Sequence, residues 1–346
     1  MPSLYSTHEL LEVQRQQKGI TPYWLSFFPR MLTSDREEII FDQVTDGTRE
    51  LAPFVAPNVQ GRVIRNRGYN TKTFKPAYVK PKHVVDPSQA IPRMAGEALG
   101  GTLTLEQRYN ARVAENLRIE RLMIENRWEW MAARAVIDGS IVVKGEDYPE
   151  VTLDFGRDPS LTQTLTSTAR WGQADAAPLK DIEGLRRQVH ELSSSTIGRL
   201  TFGLNAWDLF SQDDAVMKLL DSRYRGSESD FNRAVPEGSP MEYRGTISGQ
   251  NGMGRLELWT YSQKYRDEDG TLKDFLNPNA VVGTGAGLDG VRCFGAIQDK
   301  RAGLAAQPLF PKMWDSEDPA VTYTMTQSAP LMVPVEPNAS FTLIVA

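Results

Sequence analysis

Gly285-Ala286-Gly287-Leu288-Asp289-Gly290 matches the dinucleotide-binding fingerprint letter for letter. That chemistry needs a strand before the glycines and a helix after them, because the pyrophosphate sits on the helix N-terminus. Ala280-Val281-Val282 supplies the strand-like run, but Val291-Arg292-Cys293-Phe294 that follows is β-type. The pattern therefore reads as a glycine-rich turn. Asp267-Glu268-Asp269-Gly270 begins like a calcium loop, yet Leu272 and Phe275 stand where later ligands are needed, so a β-turn is expected. Cys293 is the sole cysteine, has apolar neighbours and no His nearby, and reads as a buried, inert thiol. His8, His83 and His190 are far apart and make no zinc spacing. Asp315, Glu317 and Asp318 form an acidic turn and not a spaced catalytic pair. There is no Gly-x-Ser-x-Gly elbow and no phosphate loop ending in Gly-Lys-Ser/Thr. Asn338-Ala339-Ser340 is a glycosylation sequon by letter, with no secretion signal to give it meaning. No catalytic, cofactor-binding or metal residue is expected, and the reading is a structural protein.

The most unusual composition lies at residues 58–85. Arg62, Arg65, Arg67, Lys72, Lys75, Lys80 and Lys82 fall there, with no Asp or Glu. The whole chain carries −5; without these seven bases it carries 32 basic against 44 acidic residues, or −12. Residues 62–65 and 71–75 read as two strands around a turn at Arg67-Gly68-Tyr69-Asn70. Three roles fit such a hairpin. It could bind nucleic acid, although only Tyr69, Phe74 and Tyr78 interleave with the bases. It could be a solvated basic loop, or an arm docking on an acidic neighbour. A second candidate contact is Tyr23, Trp24, Phe27 and Phe28, dense aromatics on an N-terminal arm with little else to bury, which would lie on its own domain or on a neighbouring subunit.

These pieces need a scaffold, and Thr104 to Ile137 supplies one. Leu105, Tyr109, Val113, Leu117, Ile124, Trp128, Met131 and Ala135 recur at helical spacing, with no Gly or Pro between. Thr102 or Thr104 can cap the start, and Gly139 follows the end. At about 1.5 Å per residue the helix spans roughly 50 Å. It reads either as an ordinary long amphipathic helix or as a spine for other elements. Glu106, Arg108, Arg112, Glu115, Arg118, Glu120, Arg121, Glu125 and Glu129 mark the opposite face, expected to be exposed or subunit-facing. A short helix is expected before it, capped by Ser6 with Glu9. A second hairpin is expected over 140–155, then a mixed α/β region and a terminal strand at Phe341 to Val345. No apolar run approaches the ~20 residues of a membrane helix, and the polar N-terminus has no signal-peptide core. Assembly in a reducing cytoplasm is the expectation.

Three stretches carry a family resemblance. Gly61-Arg62-Val63-Ile64-Arg65 through Ala77-Tyr78-Val79-Lys80-Pro81-Lys82-His83, then Gly295-Ala296-Ile297-Gln298-Asp299, then Met325-Thr326-Gln327-Ser328-Ala329-Pro330-Leu331-Met332, all resemble the major capsid proteins of lambda-type tailed phages. The order of elements is similar along nearly the whole chain, most weakly over 156–255. The resemblance implies an α+β, Hong Kong 97-like capsid fold. It assigns an N-arm at 1–50 and an extended E-loop at 51–90. A P-domain follows at 91–174, with spine helix 104–137 and hairpin 140–155. An A-domain is implied at 175–305, and a return to the P-domain with the C-terminal strand at 306–346. The basic loop and aromatic arm would then be covered by neighbouring subunits. Self-assembly through pentamers and hexamers into an icosahedral shell around dsDNA follows, without sequence-specific DNA binding and without a membrane. Scaffolding, portal and decoration proteins are implied partners, with the virion as destination. A nucleic-acid-binding protein using hairpin 61–82 and, last, a dinucleotide-dependent enzyme are the alternatives.

Overall fold

The computed structural model describes residues 6–16, 22–36, 38–44, 69–86, 104–145, 148–217, 240–248, 254–303, 305–318 and 320–346. In chain order the elements are α1 (Thr7–Gln16), β1 (Arg30–Thr33), β2 (Ile39–Val44), β3 (Tyr69–Phe74), β4 (Lys82–Val85), α2 (Leu105–Ile137), β5 (Ser140–Gly145), β6 (Tyr148–Asp154), β7 (Thr162–Thr164), α3 (Pro178–Ser193), β8 (Ile197–Phe202) and α4 (Leu204–Ser211). Then come β9 (Met241–Ser248), β10 (Arg255–Tyr261), β11 (Lys264–Arg266), β12 (Leu272–Asp274), β13 (Ala280–Gly285), β14 (Val291–Phe294), β15 (Phe310–Ser316), β16 (Val321–Gln327), β17 (Pro330–Val333) and β18 (Ser340–Ile344).

The spine reading of α2 holds. Thr104 accepts from the Gln107 N–H while Gln107 accepts from the Thr104 N–H, which satisfies two orphan donors at the helix start. At the far end Arg157 reaches in and donates to the carbonyls of Val136 and Ile137, both at 2.7 Å. Gly139 adopts φ +69, and a Cβ there would come within 2.8 Å of Arg157. Along its length α2 packs against α1, β4, β5, β16, β17 and β18.

Three sheets surround this helix. The order β15-β16-β4 forms one, β1-β14-β17 a second, and β7-β18-β13-β8-β10-β9 the third and largest. Strand alternation divides the core between them. Phe341, Leu343 and Val345 join Leu200, Phe202 and Val281 beneath α3 and α4. On the other face of the same strand, Thr342 donates to the Ile137 carbonyl and Ser340 to that of Val136. The terminal strand thus ties the largest sheet to the end of the spine.

The structure departs from the expected turn at 67–70, and it links strands from distant parts of the chain. Residues 69–74 pair with β2, in antiparallel register from Ile39 opposite Phe74 to Val44 opposite Tyr69, and residues 62–65 of the expected hairpin lie outside the described residues. Tyr69 and Asn70 are strand residues and no turn. The terminal strand sits in the six-stranded sheet with β8, β10 and β13, apart from the β15-β16-β4 sheet. Within 175–305, β14 leaves that large sheet and pairs with β1 and β17. Chain order could not reveal these exchanges, because each strand's partner is remote in sequence.

Candidate assembly interface

The aromatic arm is held by one carboxylate. Glu129 on α2 is fully buried, and its Oε1 accepts from the backbone N–H of Tyr23 at 2.8 Å and Trp24 at 2.7 Å. Its Oε2 accepts from the Leu25 N–H at 3.0 Å. These are the orphan donors at the start of a single 3-10 turn, Trp24–Phe27, and a carboxylate is the strongest acceptor for them. Arg292 on β14 closes the other end, donating to the carbonyls of Phe28 at 2.6 Å and Leu25 at 2.9 Å. Burial pushes the Glu129 carboxyl above its usual range, although the three N–H groups and Arg292 pull the other way. Tyr23 stacks near Tyr261 with ring centroids 5.1 Å apart, and its hydroxyl meets Thr201 at 2.6 Å. Burial drives that phenol up to about 12.

This corrects the expectation that neighbours cover the arm. Tyr23, Trp24 and Phe28 are buried within their own subunit, and Phe27 packs against the same cluster. The physical reason is the buried Glu129, which draws the turn onto the spine. Glu120, Glu125 and Glu129 belong to the helix face expected to be exposed or subunit-facing, and all three are buried within their own subunit. Glu115–Arg118 and Arg121–Glu125 do pair as their spacing implies, at 2.6 Å each.

Glu120 gathers four elements. Its carboxylate accepts from Thr324 at 2.8 Å and Thr326 at 2.7 Å on β16, and His83 Nδ1 on β4 lies 3.2 Å away. Gln14 on α1 donates to Thr326 at 2.9 Å and to the Leu117 carbonyl at 3.2 Å. Burial raises the Glu120 carboxyl against these hydrogen bonds. One signal could have exposed it: Glu120 lies three residues after Leu117 and four before Ile124, in phase with the buried stripe.

The basic residues separate. Arg62, Arg65 and Arg67 lie outside the described residues. Lys72 stands on β3 opposite Phe41, and Lys75 follows that strand's end, exposed. Lys80 lies over the Tyr78 ring at 4.8 Å, and Lys82 lies 3.6 Å from the centre of the Tyr323 ring. These two lysines are therefore ordered on the subunit's own aromatics.

The sequence-level reading of the Gly285–Gly290 stretch fits its surroundings. Ala286–Leu288 form a single 3-10 turn, Gly290 leads into β14 and not into an α-helix, and a Cβ at Gly287 would come within 2.8 Å of Ser195 Oγ. Asp267 and Asp269 both face Lys273, at 2.5 and 3.7 Å, in the turn between β11 and β12. Cys293 is buried, which raises its thiol to about 11. What the structure organises is a set of interlocked contacts between an N-terminal segment, a spine and three sheets.

Residues 6–345 match the family model described as phage major capsid protein E. The chain belongs to this family. Among curated relatives, the major capsid protein of Escherichia phage lambda is 33% identical over 97% of both chains. That of Enterobacteria phage P21 is 32% identical, again over 97% of each. A crystal structure of a prophage capsid protein from E. coli CFT073 superposes with a TM-score of 0.73, at 23% identity, covering 99% of both chains. The capsid of cyanophage P-SCSP1u gives a TM-score of 0.50 at 10% identity, over 96% of this chain and 90% of that one. The subunit has the Hong Kong 97-like capsid fold and serves as a building block of a phage head shell. Its relatives are structural proteins, and the interlocked contacts above are the interior of one tile.

Proposed function

We propose that this capsid subunit closes an icosahedral head around dsDNA through pentamers and hexamers, using residues 51–90 as an E-loop that lies across an adjacent subunit. The reading rests on the β2–β3 ladder. Val44 stands opposite Tyr69, so residues 45–68 leave and return at one place. That span carries Arg62, Arg65 and Arg67, while the chain outside 58–85 is strongly acidic and offers a complementary surface on a second copy. Contacts of this kind are individually weak, and many of them in a closed shell make a stable container. An overall acidic subunit also suits a container that must not hold its DNA tightly. Scaffolding, portal and decoration proteins are the accessory partners of this reading, with assembly in the host cytoplasm.

The test replaces residues 45–68 by a four-residue Gly/Ser turn, which keeps β2 and β3 paired. The variant is expected to be soluble, with the thermal midpoint of the unassembled wild-type subunit, and to give no closed shells by negative-stain microscopy. Shells of normal yield and shape would overturn the docking role.

A further inference from the structure

The β15-β16-β4 sheet presents two unlike faces. Thr322, Thr324, Thr326 and His83 turn inward to Tyr109 and Glu120 of the spine. The opposite face is crossed by two registered rows, Lys312–Met325–Lys82 and Trp314–Tyr323–Val84. The Trp314 and Tyr323 rings stack at 5.4 Å, and the Lys82 ammonium sits over both, at 5.2 and 3.6 Å. Val84 beside them is 46% exposed, so among the described residues nothing covers this row completely.

Charge along this face is polarised. Lys312 is neutralised by Asp299 at 2.7 Å. Among the described residues Lys82 and Lys80 have aromatic neighbours and no carboxylate partner. The hairpin turn at the other end carries exposed Glu317 and Asp318, which pair with no base among the described residues. Lys82 is registered with Met325, four residues from the strand start at Val321, a separation of roughly 13 Å along the sheet. Across that distance, about one Debye length at 0.1 M salt, the two ends barely neutralise each other. A second copy laid antiparallel about the aromatic row would bring each acidic turn to the other's lysines, because the rows on either side are equally spaced at about 7 Å. An arrangement of this kind is isologous and satisfies both ends at once.

We propose that this face docks a second copy of the same chain, its Glu317–Asp318 turn seated over Lys82 and its aromatic row against Trp314, Tyr323 and Val84. The contact rests on the shell-forming function above. It covers only a few residues per copy, well short of the roughly 800 Å² per partner of a stable dimer, so it acts only in the assembled shell.

The experiment compares shell yield from full-length wild type, Lys82→Glu, the pair Glu317→Lys with Asp318→Lys, and all three together, with the thermal midpoint of each unassembled subunit as the folding control. Each half-reversal is expected to lower shell yield tenfold or more with an unchanged midpoint, since like charges then meet at every such contact. The combined variant is expected to recover to within about threefold of wild type, because the attraction is restored with its sign exchanged. Half-reversals that assemble like wild type overturn the docking face, and so does a combined variant no better than its halves, which would assign the face to another partner. Wild type that forms no shells even when produced together with its own phage's scaffolding protein overturns the proposed function instead.

Discussion

Replacing Glu129 by alanine should release the N-terminal segment from the spine. The carboxylate serves three backbone donors, those of Tyr23, Trp24 and Leu25, at 2.7 to 3.0 Å. All three residues are buried, so water does not replace the lost acceptor. An orphaned buried donor costs about 1–3 kcal/mol, which makes roughly 3–9 kcal/mol for three. Relief of the desolvated carboxylate returns several kcal/mol, and removal of one member of a buried charged cluster typically nets about 3–5 kcal/mol. That is about a fifth or more of an ordinary domain's roughly 5–15 kcal/mol. Glu129→Gln should cost less, about 1–3 kcal/mol, because one oxygen is retained while an amide donor meets a backbone N–H. Denaturant titration of the unassembled subunit, followed by tryptophan fluorescence, measures both. If alanine and glutamine each shifted stability by under about 1 kcal/mol, the carboxylate would not be what holds the turn.

Other perturbations probe the same frame. Burial raises the Glu120 and Glu129 carboxyls in the folded subunit. Each therefore contributes stability that is fully present below the ordinary carboxylate range and is lost as pH rises through the raised folded value. Melting midpoints of Glu120→Gln and wild type between pH 4 and 8 should show wild type losing more stability as pH rises, and parallel profiles would refute this. Arg157→Ala should remove the cap on the last α2 carbonyls and cost about 2–3 kcal/mol by denaturant titration, unless water satisfies those groups. Gly283→Ala should be destabilising by about 1–3 kcal/mol, since its Cβ would fall 2.1 Å from the Phe341 ring. Cys293 should resist thiol reagents in the folded subunit and react on unfolding, as its burial and raised pKa imply.

Local patterns were legible wherever a signal was confined to one element. The α2 stripe, its Thr104 cap and the Gly139 stop lie within α2 and its flanks, the Ser6–Glu9 capping pair lies at the start of α1, and all are present. The glycine-rich turn, the acidic turn at 267–270 and the buried thiol were readable for the same reason. The basic composition of 58–85 was equally plain, though composition alone left its role open.

Pairing was legible in the local hairpin of β5 and β6, expected over 140–155 and present there, but not elsewhere, because it is decided by residues far apart in the chain. Nothing within 69–74 names residues 39–44 as its partner, and nothing within 340–344 selects β13 and β7 as its neighbours. The two carboxylates that matter most were misplaced for the same reason. Glu129 falls off the buried stripe on a helix wheel, and Glu120, although in phase with that stripe, carries a charge that is buried only where donors await it. Those donors come from Thr324 and Thr326, and from the Tyr23–Leu25 backbone, each about a hundred residues or more away along the chain. The amino-acid sequence by itself determined the helix, its caps, the turns and the family. Only tertiary structure decided which strands meet and which acids are interior, because both depend on satisfying buried polar groups across the whole fold.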